Sequence, residues 1–458
     1  ITMYDLLIIG GGAAGFFTAI NTAENRPDFK IAILEKSKEV LHKVQISGGG
    51  RCNLTNAIFT PQELVKNYPR GSKELLSPFH RFMCGDVMEW FEAHGVPLKT
   101  EDDGRVFPAS DSSESIINCF LKAIAQHGIE LFTQQNVQAI SPAEQGWQVR
   151  TANRTFTAKR LVISTGSNPK IWQLLADLGH TIVPPVPSLF TFQTATEWAK
   201  TLSGIAVTAT VQLFSQKGDF LQISERAPLL FTHKGFSGPA VLRASAWGAR
   251  VLASLNYQCL MEVNFATADD QALSYDEVLL QLQDCKQRHG RKAVQSVTLF
   301  QLPKRLWEAL LESAGVAPAQ QWASLNKSQL QQLAKALTQS SFSITGKNTF
   351  KEEFVTAGGV KLSEIDFKTY QSKLFKHLYL AGEVLDIDAV TGGVFTEAED
   401  NVGAKLFSGR NGNLMGVGEG HRQFQYLGFM VGQEFREIRD NGQTSVFRCA
   451  IKRTESRQ

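Results

Sequence analysis

Tyr4-Asp5-Leu6-Leu7-Ile8-Ile9-Gly10-Gly11-Gly12-Ala13-Ala14-Gly15-Phe16-Phe17-Thr18-Ala19-Ile20 decides how the rest of the chain is read. Leu6 to Ile9 is an uninterrupted apolar run, the pattern of a strand buried on both faces of a parallel sheet. Phe16 to Ile20 begins a helix. Between them Gly10, Gly12 and Gly15 fit G-x-G-x-x-G. The first glycine permits the tight turn, the second lets a pyrophosphate approach the backbone, and the third lets helix and strand pack closely. The phosphates would sit on the free N–H groups of the helix N-terminus, near Ala13 and Ala14. A second strand, Lys30-Ile31-Ala32-Ile33-Leu34, ends at Glu35, 20 residues after Gly15. An acid there accepts hydrogen bonds from the adenosine ribose. A bare Gly-rich turn would not need strand, glycines, helix, strand and acid in this order.

Outward from this stretch the bulk properties narrow the class. With 458 residues the chain has room for two or three domains. Its 43% hydrophobic and 20% charged residues are those of an ordinary globular protein. A net charge of +3 is too near balance to argue for or against nucleic acid. No apolar run of about 18 residues is present, so no membrane partner is expected. The chain enters its first strand at Tyr4, and no signal peptide is expected. Six scattered cysteines without C-x-x-C suggest a reducing cytoplasm rather than a disulfide framework or zinc site. The histidines show no ligand spacing, so no metal is implied.

After Glu35 and Lys36 comes Leu41-His42-Lys43-Val44-Gln45-Ile46, then Ser47-Gly48-Gly49-Gly50-Arg51-Cys52-Asn53-Leu54-Thr55-Asn56. Three successive glycines forfeit backbone entropy and give no packing. They make sense where backbone must touch a planar or phosphorylated ligand. Arg51 would then balance phosphate charge, and the asparagines would bond polar ring edges. A flexible linker would not need Arg-Cys-Asn behind it.

The run Ser47 to Asn56 resembles the signature of a bacterial FAD flavoprotein family. That family includes aminoacetone-oxidase-like proteins, bile-acid ring reductases and a dihydrouridine synthase acting on large-subunit ribosomal RNA. Four further stretches are similar to family signatures: Gly104-Arg105-Val106-Phe107-Pro108, Leu230-Phe231-Thr232-His233-Lys234-Gly235-Phe236-Ser237-Gly238-Pro239, Thr356-Ala357-Gly358-Gly359-Val360 and Gly382-Glu383-Val384-Leu385-Asp386. Two departures stand out. Leu41-His42 replaces the family's usual Gly-Arg before Lys43, and Val394-Phe395-Thr396-Glu397 replaces an aromatic-Asn-Phe/Leu-Gln stretch after Thr391-Gly392-Gly393. The resemblance implies FAD as cofactor. It assigns to the cofactor Gly10, Gly12, Ala13, Ala14, Gly15, Glu35, Lys36, Lys43, Ser47, Gly48, Gly49, Gly50, Arg51, Cys52, Asn53, Val137, Thr165, Gly166, Gly382, Glu383, Gly392 and Gly393. Glu383 would meet the ribityl chain, and a helix opened by Thr391-Gly392-Gly393 would face the pyrimidine side of the flavin.

The remaining chain reads as a Rossmann-like α/β domain of the glutathione-reductase-like class, interrupted by an inserted β-rich and helical region. Residues 61 to 130 read mainly as helices, Pro78 to His94 and Ser112 to His127 having helical spacing, and Gly146 to Arg160 alternates as a hairpin. Arg160-Leu161-Val162-Ile163-Ser164-Thr165-Gly166 is another buried strand. Pro184, Pro185 and Pro187 mark a linker. Strands are expected near 204–213 and 219–231, and helices over Asp270–His289, Pro303–Ser313 and Lys327–Gln339. The expected domains are residues 1–187 with 352–458 for FAD, 188–265 with 340–351 as a barrel-like substrate domain, and 266–339 as a helical domain.

The protein's own chemical candidates are few. Cys52, beside the glycine loop, reads first as a small core residue and second as a proton donor tuned by Arg51. His233 reads equally as a backbone-satisfied histidine and as the acid that protonates a carbon after hydride transfer. Lys234 and Arg243 would suit an anionic substrate, although solvated lysine and arginine are the plainer reading. Gly416-Val417-Gly418-Glu419-Gly420 follows no strand, so NAD(P)H would bind transiently, without a domain of its own. Three functions stay open. The first is an NAD(P)H-dependent reductase of an activated C=C bond, in ribosomal RNA uridine or in a steroid-like enone. The others are an FAD amine oxidase and a flavin-containing RNA-binding factor.

Overall fold

The computed structural model describes residues 2–268, 271–348 and 355–390; expectations for Thr391, Gly392, Gly393 and all later residues lie outside the described residues. Strand Leu6–Ile9 is buried at every position. Its side chains alternate between two cores, Leu7 and Ile9 entering one and Leu6 and Ile8 the other. Ile31–Leu34 pairs parallel on one side and Leu161–Ile163 on the other. Leu378–Leu380 lies beyond Leu161–Ile163, and Glu130–Phe132 beyond Ile31–Leu34, both parallel. Two short strands, Ile365–Asp366 and Gln371–Ser372, complete a seven-stranded sheet. Chain from both sides of the inserted region therefore builds one sheet. A four-stranded sheet adds Met3–Tyr4, Thr155–Ala158, Gly146–Thr151 and Val137–Ala143.

Helix Ala13–Asn25 is buried from Ala13 through Ala23, because it packs lengthwise on the sheet. Gly12, in extended conformation, precedes it, and it ends at Arg26, just before Pro27.

The inserted region folds around its own core. Thr191–Thr194, Gly235–Ser237, Phe220–Thr232, Ala206–Phe214, Cys259–Asn264 and Ser340–Asn348 close a six-stranded barrel. Phe192, Val211, Leu213, Leu229, Phe231, Met261, Phe342 and Ile344 fill it. Helices Tyr275–Arg288, Lys304–Ser313 and Lys327–Thr338 share that cluster. It has no residue in common with the two clusters flanking the seven-stranded sheet.

Arginines join the two parts. Arg70 forms a two-pronged ion pair with Asp388 and donates to the Ala246 carbonyl at 2.7 Å and to Ser188 Oγ at 3.3 Å. Ser188 Oγ in turn donates to Asp388 at 2.6 Å. Arg250 binds both oxygens of Asp386 at 2.6 Å. Both acids follow Glu383 on one short segment.

Three local expectations are corrected. The prolines 184, 185 and 187 are not a linker but part of strand Ile182–Ser188, paired antiparallel with Val355–Val360. The register shifts between Val183 and Val186, and this irregularity accommodates residues without an N–H. The helix expected from Pro78 to His94 is two helices, Ser72–Phe79 and Cys84–Ala93. The second begins anew where the Asp86 carboxylate accepts from the Met83 N–H at 2.7 Å. The region 61–130 is also less helical than expected. Arg105–Pro108 is the middle strand of a small sheet with Thr55–Asn56 and Leu98–Thr100. No helix among the described residues is long and apolar enough to cross a membrane.

Candidate functional site

The three fingerprint glycines have three different surroundings. Gly10 has φ +119, and a Cβ there would lie 2.4 Å from the Ser164 carbonyl oxygen. At Gly15 a Cβ would lie 2.0 Å from the Gly10 oxygen. These two hold loop, helix and neighbouring strand together. Among the described residues, a Cβ at Gly12 would meet nothing within 4 Å. Gly12 has an ordinary extended backbone, φ −89 and ψ −178, so neither packing nor conformation calls for glycine there. The open space lies at the N-terminus of a helix that no side chain caps and whose first turn carries no acid. Open space beside free N–H groups suits phosphate.

Glu35 follows the second strand and faces this loop. Its Oε2 accepts from the Gly11 N–H at 2.8 Å and its Oε1 from the Ser37 N–H at 2.8 Å. Lys36, next to it, is exposed.

Glu383 comes in from the far end of the chain. The turn at Gly382, φ +77, brings that residue's Cβ position to 3.6 Å from the Ala14 Cβ. A Cβ on Gly166 would lie 3.8 Å from Glu383 Oε2. The Glu383 side chain is only 2% exposed, and Lys43 Nζ binds its Oε2 at 3.1 Å. Its Oε1 is buried without a hydrogen-bond partner among the described residues, as is Thr165 Oγ1. A buried carboxylate oxygen left unbonded is costly, and a hydroxyl-bearing ligand would satisfy it. Ala14, Lys43, Thr165, Gly166, Gly382 and Glu383 thus meet in one place.

Lys43 belongs to the short helix His42–Ile46, which runs directly into the glycine loop. Ser47 is buried and donates to the Val44 carbonyl at 2.8 Å. Gly48, Gly49 and Gly50 all have positive φ, at 57, 68 and 84, so the run turns left-handed as only glycine does freely. Behind it Asn53 is 2% exposed, yet among the described residues neither its amide nitrogen nor its amide oxygen has a partner, and Thr55 Oγ1 has none either. Thr55 was not picked out from the sequence, and a threonine in a strand carries no signal that its hydroxyl will be stranded.

Other candidates lie elsewhere or are otherwise engaged. Arg51 does not stand free for a phosphate. It binds Glu101 at 2.5 Å and Asp111 at 2.6 Å and stacks 4.0 Å over the Phe107 ring. Cys52 is fully buried in the apolar cluster beneath the loop. Burial pushes its thiol up to about 12, against a smaller opposing effect of a hydrogen bond with Ser47. A neutral, enclosed thiol is a poor proton donor. Val137 is buried at the start of its strand. His233 and Lys234 are exposed at the turn between barrel strands Phe220–Thr232 and Gly235–Ser237. The turn is pinned where the Lys234 carbonyl accepts from Thr194 N–H at 3.1 Å. Arg243 is paired with Glu225 at 2.8 Å.

The thiol state gives a test. At mildly alkaline pH, iodoacetamide added to the native protein should leave the peptide containing Cys52 unmodified. In concentrated guanidinium chloride the same peptide should be alkylated. Fast native labelling, read by mass spectrometry, would show the loop opening to solvent.

A Rossmann sheet with open space beside Gly12 at a helix N-terminus and an acid after the next strand is the layout of a dinucleotide-binding protein. The sequence profile described as the HI0933-like protein Rossmann domain matches residues 4–398, and the chain belongs to that family of FAD-dependent oxidoreductases. The ribosomal RNA dihydrouridine synthase of Escherichia coli K12 is 27% identical over 402 residues, covering 85% of this chain and 94% of that one. The 3-dehydro-bile acid delta(4,6)-reductase of Clostridium scindens is 26% identical over 394 residues, covering 84% and 94%. The solved structure of 3-ketosteroid-delta4-(5alpha)-dehydrogenase from Rhodococcus jostii RHA1 has 11% identity and a TM-score of 0.44, covering 94% of this chain and 95% of that one.

Proposed function

We propose that the protein uses FAD and NAD(P)H to reduce an activated carbon–carbon double bond, with uridine in large-subunit ribosomal RNA as the first candidate substrate. One observation carries this reading. Two relatives matched over nearly their whole length are named for a dihydrouridine synthase and for a delta(4,6)-reductase. Dihydrouridine is uridine saturated at C5–C6, so both names describe products of the same bond change on different substrates. The second name favours a steroid-like enone as the alternative.

FAD when bound supplies the two-electron step. The chain's residues would bind and orient. Gly12 leaves room for the pyrophosphate beside the Ala13, Ala14 and Gly15 N–H groups. Glu35 offers carboxylate oxygens toward the ribose. Glu383, held by Lys43, offers Oε1, which no described residue bonds, to a ligand hydroxyl. Asn53 offers both a donor and an acceptor to a ring edge. His233, exposed on the barrel turn, is the proposed proton donor to carbon.

Anaerobic stopped-flow tests the reading in two halves. NADH or NADPH should bleach the flavin, and ribosomal RNA or an enone should restore its colour faster than oxygen does. Fast reoxidation by oxygen, with no effect of either substrate, would point to an amine oxidase instead. His233→Ala should keep its FAD and its reduction by NAD(P)H while the substrate half-reaction slows by about a hundredfold or more. Loss of FAD in that variant would assign His233 to the cofactor, and an unchanged rate would leave the proton to water.

A further inference from the structure

The inserted helices carry a feature that the cofactor site does not use. The last residues of helix Tyr275–Arg288 and the turn after it read Lys286-Gln287-Arg288-His289-Gly290-Arg291-Lys292, four cations and a histidine in seven residues with no acid among them. This run borders an open groove of about 450 Å³ between that helix and helix Lys327–Thr338. Gln283, Lys286, Gln287, Lys327, Leu330 and Gln331 line it. No acidic side chain lines it among the described residues. Arg291 and Lys292 are held next to it, because Ala323 and Trp322 donate backbone hydrogen bonds to the Gly290 and Lys292 carbonyls at 2.9 and 3.0 Å.

Helix stability explains only part of this charge. Lys286 and Arg288 complement the negative end of their helix. Arg288 is also paired with Asp284 at 2.8 Å. Lys327 has the opposite relation: it opens its helix, where a cation opposes the dipole, and the Asn326 side chain already caps that end by accepting from Gln329 N–H at 2.8 Å. Arg291, Lys292 and Lys327 are exposed and have no ion pair among the described residues. The overall charge of +3 does not foreshadow this local excess.

We propose that this groove docks RNA, with Arg291, Lys292 and Lys327 on backbone phosphates and the glutamine amides on ribose hydroxyls or base edges. The proposal rests on the reading of ribosomal RNA as substrate and extends it to the surface that holds the RNA. Charge complementarity selects the partner: unpaired cations around uncharged hydrogen-bonding amides suit a polyanion that also presents donors and acceptors.

The test is the salt dependence of binding of a short fluorescein-labelled oligouridylate to the FAD-loaded full chain, followed by anisotropy. Each phosphate contact contributes about 0.7 to the slope of log affinity against log salt for single strands. The triple variant Arg291→Gln/Lys292→Gln/Lys327→Gln should therefore have a slope shallower by about two. Its FAD content, compared with the parent protein, serves as the folding control. A steep slope that the triple variant leaves unchanged would overturn the groove and keep RNA as substrate. Absence of salt-dependent binding by the parent protein would overturn the RNA reading, and this site with it.

Discussion

Gly12→Val is expected to yield folded protein that carries no FAD. The backbone at Gly12 is extended, which suits a β-branched residue, and none of the described residues lies within 4 Å of the added Cβ. The valine would instead fill the space left for the pyrophosphate. Gly15→Ala should behave in the opposite way. Its methyl group would be driven to 2.0 Å from the Gly10 oxygen, a backbone atom that cannot turn aside. Overpacking of this kind costs about 1–3 kcal/mol or more and should lower Tm with or without cofactor. Circular dichroism with released-flavin absorbance separates the two. A Gly12→Val protein with full FAD occupancy would move the phosphate site elsewhere, and release of FMN alone from the parent protein would remove the adenosine half altogether.

The second large effect is expected at Arg70. Asp388 has no exposed side-chain surface and Arg70 only 12%. Arg70→Met would leave that carboxylate buried with Ser188 as its remaining side-chain donor among the described residues. Removing one member of a buried pair costs about 3–5 kcal/mol, mostly through the charge left behind. Arg70→Met/Asp388→Leu should therefore recover most of the loss, since no buried charge remains. Urea denaturation of the three proteins gives the comparison. A single-variant loss below about 1 kcal/mol, as for an exposed pair, would mean that water reaches this junction.

Much of the architecture is legible from local pattern. Leu6–Ile9, Ile31–Leu34 and Leu161–Ile163 are continuous apolar runs because each is covered on both faces. The helices at 114–126, 304–313 and 327–338 fall within about two residues of the expected ends, where apolar spacing fades. Pattern misleads where a residue type has two uses. Pro184 and Pro185 have the composition of a linker, yet a bulged strand also tolerates a missing N–H. Arg51 beside three glycines reads as a phosphate ligand, but Glu101 and Asp111 claim it from chain segments that spacing alone cannot bring near.

By itself the sequence determined the Rossmann class, the glycine turn, Glu35 at the end of its strand and membership of a flavoprotein family. All of these are written in neighbouring residues, since backbone conformation and the pattern of burial leave a short-range imprint. The tertiary structure alone decided that Gly12 is the open glycine while Gly10 and Gly15 are packing glycines. It alone brought Lys43 onto Glu383, left Asn53 and Thr55 without side-chain partners among the described residues, and enclosed Cys52. The physical reason is that hydrogen-bond satisfaction and desolvation depend on every group within a few ångströms, and those groups come from distant parts of the chain.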